Sequence, residues 1–154
     1  MAPVPPPLEH AFDVAVQVAV PLAIGDMGAG VRRVVDILGG TVTGPRLAGN
    51  IRPGGADFQI IRASGMAELE ARYVIEAADG ALIYVENRGI RTGPADALAR
   101  LNRGEAVDPA LIYFRSVPRF ETAAPQHRWL MDHIFLATGI RRPDAVELAV
   151  YRVG

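Results

Sequence analysis

Two apolar runs joined by Asp79-Gly80 constrain this chain more than any other feature. Ala67 to Ala77 and Ala81 to Arg91 are each long enough for a strand. An Asp-Gly pair between two such runs suits a tight β-hairpin turn, because Gly takes up the backbone twist that the turn demands. The middle of the chain is therefore expected to pair antiparallel. The same punctuation recurs at strand-like intervals on both sides. Within Ala11 to Val20, Phe12, Val14, Val16, Val18 and Val20 alternate onto one face, the period of a strand. Val31 to Leu38 is an apolar run ended by Gly39-Gly40, and Thr41 to Gly44 reads as a turn before Pro45. Pro53-Gly54-Gly55 leads into Asp57 to Arg62, which Ser64-Gly65 closes. Leu111 to Val117, Trp129 to Thr138 and Val146 to Val153 complete the strand-like runs.

One segment breaks the rhythm. Pro94 to Arg103 has Pro at its start, Ala and Leu within and Gly104 just beyond, the pattern of a short helix. About eight strands in meander order suit a closed barrel wide enough for one small ligand. The expected fold is accordingly all-β, an eight-stranded antiparallel barrel with one short helix, and a flattened sandwich is the alternative. Repeated prolines make residues 1–8 a flexible lead-in, and residues 9–154 a single barrel domain.

Composition excludes more than it selects. A net charge of −1 provides no field to gather nucleic acid or anionic lipid. All 16 basic residues are Arg, so Schiff-base, pyridoxal and P-loop lysines are ruled out. The absence of Cys removes thiol nucleophiles, thiolate metal sites and disulfides, and fits a reducing compartment. Met1 to Pro7 lacks the basic start of a signal peptide. Val14 to Ile24 is too short for a membrane helix and is interrupted by Gln17 and Pro21. The expected location is cytoplasmic.

Several stretches carry a family resemblance. They are GGTVTGPRLAG (Gly39 to Gly49), PGGAD (Pro53 to Asp57), ARY (Ala71 to Tyr73), DGALIYVENRGIR (Asp79 to Arg91), YFRSVPRFET (Tyr113 to Thr122), Trp129-Leu130 and GIRRPDAV (Gly139 to Val146). In this order, from about Val31 to Tyr151, they resemble domain of unknown function 3237, also called uncharacterised protein family 0311. The resemblance implies a lipocalin-like (calycin-like) barrel and no particular activity. Two departures stand out. Phe58 follows Asp57 where the family usually carries Trp, and Met131 follows Trp129-Leu130 where it usually carries Asn. The second implies a more apolar wall at that position.

Strand parity suggests which side chains meet inside. Ile83, Val85, Asn87, Gly89 and Arg91 run from apolar to polar along one face, as a barrel with a dry floor and a polar mouth would require. Tyr84, Glu86 and Arg88 form the opposite, wet face. Asp57, Gln59 and Ile61 share a face, as do Trp129, Met131, His133 and Phe135. The candidate catalytic residues are Asp57, Glu121, Arg115 and Tyr73; Asn87, Trp129, His133, Met131 and Arg72 are the candidate ligand-binding residues. Arg115 and Glu121 flank Val117-Pro118, where a bend at the mouth would let both reach one ligand. The structural alternative is that Arg115 with Glu121, or Arg72 with Asp57, forms an ion pair of the scaffold.

Other chemistries are poorly supplied. His10, His127 and His133 lack close paired spacing, so no metal site is expected. Neither Ser64 nor Ser116 sits in a nucleophile elbow. Gly25 to Gly30 lacks the lysine and spacing of a phosphate loop and reads as a turn, and Arg32-Arg33 reads as a strand start. What survives is acid–base chemistry that needs no cofactor: a carboxylate moved toward neutral pKa by an apolar wall, with Arg or Tyr opposite. The function expected is a lyase, hydratase or isomerase acting on a small oxygenated organic molecule. Asp57 or Glu121 would be the base, with Arg115, Tyr73 and Asn87 orienting the substrate. A non-catalytic cup for a small apolar ligand is the alternative. The expected partner is that small molecule, with neither nucleic acid nor membrane; a homo-oligomer is left open.

Overall fold

The computed structural model describes residues 1–154. Its strands are β1 (Leu8–Val18), β2 (Leu22–Asp26), β3 (Val31–Thr43), β4 (Gly49–Ile51), β5 (Gly55–Ile61), β6 (Ala67–Ala77), β7 (Leu82–Thr92), β8 (Tyr113–Glu121), β9 (Phe135–Arg141) and β10 (Ala145–Val153). Helix α1 (Ala95–Asn102) follows β7, and single turns of 3-10 helix cover Pro109–Leu111 and Pro125–Leu130.

Every pairing is antiparallel, and the sheet closes on itself where Asp13 to Val18 of β1 meet Ile37 to Thr43 of β3. β4 and β5 occupy one stave between β3 and β6, interrupted at Arg52 to Gly54. β2 extends the stave of β1 along the first half of β3. The result is a closed eight-stranded barrel. The closest approach of β1 to β3 requires glycine at Gly40: its φ is +152°, and a Cβ there would overlap the carbonyl oxygen of Ala15. The seam between β8 and β9 is the shortest, with only Arg115–Thr138 and Ser116–Ala137 in register.

The central hairpin forms as its sequence requires, with a specific geometry. Gly80 lies at φ +86° while Asp79 stays at negative φ. The turn therefore places only its glycine in the left-handed region, and Asp79 Oδ1 accepts from the Ala81 amide at 3.0 Å. Helix α1 falls within Pro94 to Arg103 as expected, ended by Gly104 at φ +85°.

Inward residues alternate with outward ones around the barrel. The end where β1, β6, β8 and β10 meet the turn before β9 is closed by Phe12, Ile75, Ile83, Phe120, Leu130, Phe135 and Val150, all buried. Phe120 stands edge-on to Phe12 at 5.8 Å and to Phe135 at 5.2 Å between ring centroids. Such edge-on packing closes the floor with interlocked rings. The opposite end is the polar one.

Four expectations are corrected by this architecture. Gly39-Gly40 does not end a strand and Thr41 to Gly44 is not simply a turn: β3 runs on to Thr43, because the two glycines, at φ +150° and +152°, let the chain continue in register against β1 and β4. Val20 does not join the inward face of β1; it lies beyond the strand end and is exposed. Trp129 to Thr138 is not a single strand, because Pro125 opens a 3-10 turn and extended structure resumes only at Phe135. β8 does not bend at Val117-Pro118. It runs unbroken from Tyr113 to Glu121, and Pro118 falls where the β8–β9 ladder has already ended, so its missing N–H is tolerated. Residues 1–7 carry no regular secondary structure, although Pro7 accepts a hydrogen bond from the Gly154 amide at 2.9 Å. No helix is long and apolar enough to cross a membrane.

Candidate active site inside the barrel

Polar side chains collect at the open end of the barrel because β3, β5, β7 and β9 all turn polar there on their inward parity. β7 is the clearest case. Ile83 and Val85 are fully buried in the floor, Asn87 comes next, Gly89 leaves space, and Arg91 reaches the upper cavity with only 1% of its surface exposed. Gly89 is needed where it stands, since a Cβ would collide with the carbonyl of Arg115 and the side chain of Ser116 on β8. The cavity has room for the centres of water-sized atoms over about 50 Å³. Its walls are apolar toward the floor, with Val16, Val35, Ile37, Leu69 and Leu148, and Phe114 lies to one side.

Asp57 of β5 sits on this wall. Its Oδ2 accepts from Gln59 Nε2 at 2.8 Å and its Oδ1 from the Glu70 amide at 3.1 Å. Burial raises its pKa above the ordinary carboxylate range. The hydrogen bond from Gln59, the charge of Arg91, the Glu70 amide and the charge of Arg141 all pull the other way without overcoming it. Gln59 is itself fixed: Arg33 donates to its Oε1 through Nε at 3.2 Å and through Nη2 at 2.8 Å, and anchors its own Nη1 on the Asn102 carbonyl at 2.7 Å. Helix α1 thereby holds the chain Arg33–Gln59–Asp57.

The remaining polar groups are under-used by the protein. Arg91 donates no hydrogen bond to any protein group, and its Nε is buried without a partner. Burial lowers its pKa to about 10 against the opposing pull of Asp57. Its guanidinium carbon lies 5.5 Å from the centre of the Phe114 ring. Asn87 Oδ1 and Ser116 Oγ are likewise buried without a protein partner. Arg141 makes one long bond, Nη1 to the Ala145 carbonyl at 3.3 Å, and burial also lowers its pKa. Tyr73 lines the same cavity, and burial pushes its phenol well above the usual range. A carboxyl of raised pKa thus faces guanidinium donors across a largely apolar cavity, an arrangement able to move a proton and hold the charge left behind.

The structure brings together only part of the set expected from sequence. Asp57, Tyr73 and Asn87 line one cavity. Arg115 and Glu121 do not: both project outward from β8, where parity reserves the inward positions for Phe114, Ser116, Pro118 and Phe120. Arg115 lies 4.9 Å over Tyr113 and bonds to the Phe114 carbonyl, and it forms no pair with Glu121. Arg72 is also outside, bound to Glu70 at 2.7 Å and Glu86 at 3.3 Å rather than to Asp57. Trp129 packs at the closed end, under Arg46 at 4.2 Å and edge-on to Phe135. His133 bonds to the Trp129 carbonyl and to Arg152, and Met131 is exposed. These three lie outside the cavity because their segment is a 3-10 turn and the bend after it, not a strand. Gln59, Arg91, Ser116 and Arg141 were missed as site residues. The first two already shared parity with Asp57 and Asn87, which was the available signal.

The model of a family described as "Protein of unknown function (DUF3237)" matches residues 6–153. The chain belongs to the DUF3237 family. A UPF0311 protein of Bradyrhizobium diazoefficiens is 50% identical over 145 residues, covering 94% of this chain and 95% of its own. The crystal structure of a conserved protein of unknown function from Rhodopseudomonas palustris superposes with a TM-score of 0.95 at 45% identity, covering 99% of this chain and 100% of that one. A crystal structure from Acinetobacter baumannii, described as a beta-barrel like protein, reaches a TM-score of 0.88 at 37% identity over 99% of both chains. These DUF3237 likenesses agree with the barrel and are silent on its chemistry.

Proposed function

We propose that this DUF3237 barrel is a cofactor-independent acid–base enzyme, of lyase, hydratase or isomerase type, acting on a small oxygenated organic molecule. The observation that carries the reading is Asp57, a carboxyl of raised pKa in a cavity that also holds Arg91, a buried guanidinium with no protein partner. A group poised in this way is matched to proton transfer near neutral pH. In the elementary step, ionised Asp57 takes a proton from the carbon beside a substrate carbonyl. The C–H electron pair becomes a C=C bond, and the carbonyl π pair moves onto oxygen. Arg91 faces that oxyanion from a buried position, where its charge counts for more than it would in water. Where the first carbon carries a hydroxyl, transfer of its proton to the enolate oxygen and return of the abstracted proton to the former carbonyl carbon leaves the carbonyl on the first carbon and completes an isomerisation. Departure of a β-leaving group completes an elimination instead. Asn87, Ser116 and Tyr73 orient the substrate oxygens.

The alternative is a cup that binds without turnover, favoured by the apolar lower wall of Val35, Ile37 and Leu69. The two separate by incubating the protein in D2O with a panel of small oxoacids and ketones and following C–H to C–D exchange by NMR. Exchange promoted by wild type and lost in Asp57→Asn is expected, with a drop of about 10²–10⁴-fold. Equal exchange by both proteins for every compound that binds would leave only the cup.

A further inference from the structure

The cavity contains more positive charge than its own carboxyl can balance. Arg33, Arg91 and Arg141 all feel the charge of Asp57, and Arg91 also feels the opposing charge of Arg141 and Arg33. Arg33 is committed to Gln59 and the Asn102 carbonyl. Arg91 has no protein acceptor, and Arg141 has only one long bond to the Ala145 carbonyl. The one other acidic group felt by Arg141, Asp144, is an exposed residue of the β9–β10 turn, where water screens it. Two guanidiniums, one fully buried and one partly so, therefore face the cavity with donors to spare. Leaving buried cations unpaired is costly, and a planar donor fork of this kind matches a carboxylate.

We infer that the molecule taken up by the barrel carries a carboxylate of its own, gripped between Arg91 and Arg141 beside Asp57. The inference rests on the reading of this cavity as the substrate site and narrows its substrate to a small organic acid. The limited volume above Gly89 favours acids of a few carbon atoms. Arg91 spans both tasks: it holds the carboxylate in the ground state and the neighbouring oxyanion as charge develops. Arg141, nearer the turn, selects the anion at entry.

The test is a titration followed through the backbone amide signals of Asn87, Gly89 and Ser116, with pyruvate and propionate as probes against propionamide, the neutral shape-match of propionate. Saturable shifts with both acids and none with the amide are expected. Arg141→Gln, at a partly exposed position where folding should survive, is expected to weaken the acids at least about tenfold, a change of roughly 1.4 kcal/mol. Asp57→Asn should keep or tighten their binding, since it removes a like charge. The inference is overturned if propionamide saturates the same signals, if Arg141→Gln binds the acids as wild type does, or if sulfate at equal concentration reproduces the shifts. Its failure is distinguishable from that of the acid–base reading. Isotope exchange on neutral ketones but not on oxoacids overturns the carboxylate and keeps the enzyme. Acid binding with no exchange on any compound keeps the carboxylate and overturns the enzyme.

Discussion

Gln59 holds Asp57 in place: its amide nitrogen donates to Asp57 Oδ2 at 2.8 Å, two residues along the same inward face of β5. The amide cannot turn around, because its oxygen is already occupied by both bonds from Arg33. A donor fixed in this orientation favours the ionised carboxyl and offsets part of the burial that disfavours it. Replacing Gln59 with Met keeps the volume and removes the donor. The titration of the Asp57 carboxyl carbon, followed by NMR, should then move to higher pH than in wild type. A purely structural Gln59 would leave that midpoint unchanged, and the positioning role would have to be abandoned.

The raised pKa of Asp57 also makes stability depend on pH with a definite sign. Between the ordinary value of 3.8 and its higher folded value, the folded chain binds more protons at this site than the unfolded chain. Stability from this group is therefore fully present below the ordinary value and is lost as pH rises through the folded one. Asp57→Asn removes the titration. Melting temperatures measured from about pH 4 to about pH 9 should fall with pH more steeply for wild type than for the variant. Parallel curves would place the Asp57 proton equilibrium at its unfolded value and contradict the burial seen here.

Arg91 pits stability against function. Its charge is desolvated and makes no protein hydrogen bond, although Asp57 partly compensates it. Met fills a similar volume beside Phe114 without that penalty, and Asp57 can meet the loss of its neighbour by taking up a proton. Arg91→Met should therefore stabilise the ligand-free protein by about 1 kcal/mol or more while abolishing ligand uptake. Denaturant unfolding near pH 5, where Asp57 is more readily neutral, provides the measurement. A variant several kcal/mol less stable than wild type would identify Arg91 as a scaffold residue.

The sequence made the barrel legible where local chemistry and global pairing agree. Asp79-Gly80 fixed the β6–β7 hairpin, and with it the parity of Ile83 to Arg91, so the polar gradient of that strand could be read without a structure. Alternation did the same for Phe12 to Val18. It failed where a helical turn interrupts an apolar run. Trp129, Met131 and His133 look coplanar only if extended, and Pro125 at the start of the turn is a weak signal against it. The site was half legible for a related reason. Parity assigns residues within one strand, but the alignment of β5 with β7 and β9 depends on shear around the closed barrel, which no local pattern encodes. Arg141 could therefore not be matched to Asp57, and Pro118 was read as a bend when the strand continues through it.

Because β8 is straight, Arg115 and Glu121 make a sharp test of inside against outside. Both have outward parity, and both are exposed. Glu121 pairs in register with Tyr84, which belongs to the wet face of β7. Arg115 rests on Tyr113, a contact worth about 0.5–1 kcal/mol at an exposed site. Removing either should thus cost little. Glu121→Gln is expected to change stability by no more than about 0.5 kcal/mol, and Arg115→Ala by no more than about 1 kcal/mol. A buried ion pair broken from either side would instead cost about 3–5 kcal/mol. Neither variant should alter the amide shifts produced by a carboxylate probe at Gly89 and Ser116. Ser116 provides the internal contrast, one position from Arg115 on the same strand but facing the cavity with its hydroxyl unpartnered. Ser116→Val removes that hydroxyl and puts apolar bulk in its place, so it should perturb the same shifts that Arg115→Ala leaves untouched. If Arg115→Ala weakens probe binding and Ser116→Val does not, the inward parity of β8 is wrong and the site must be rebuilt on its other face.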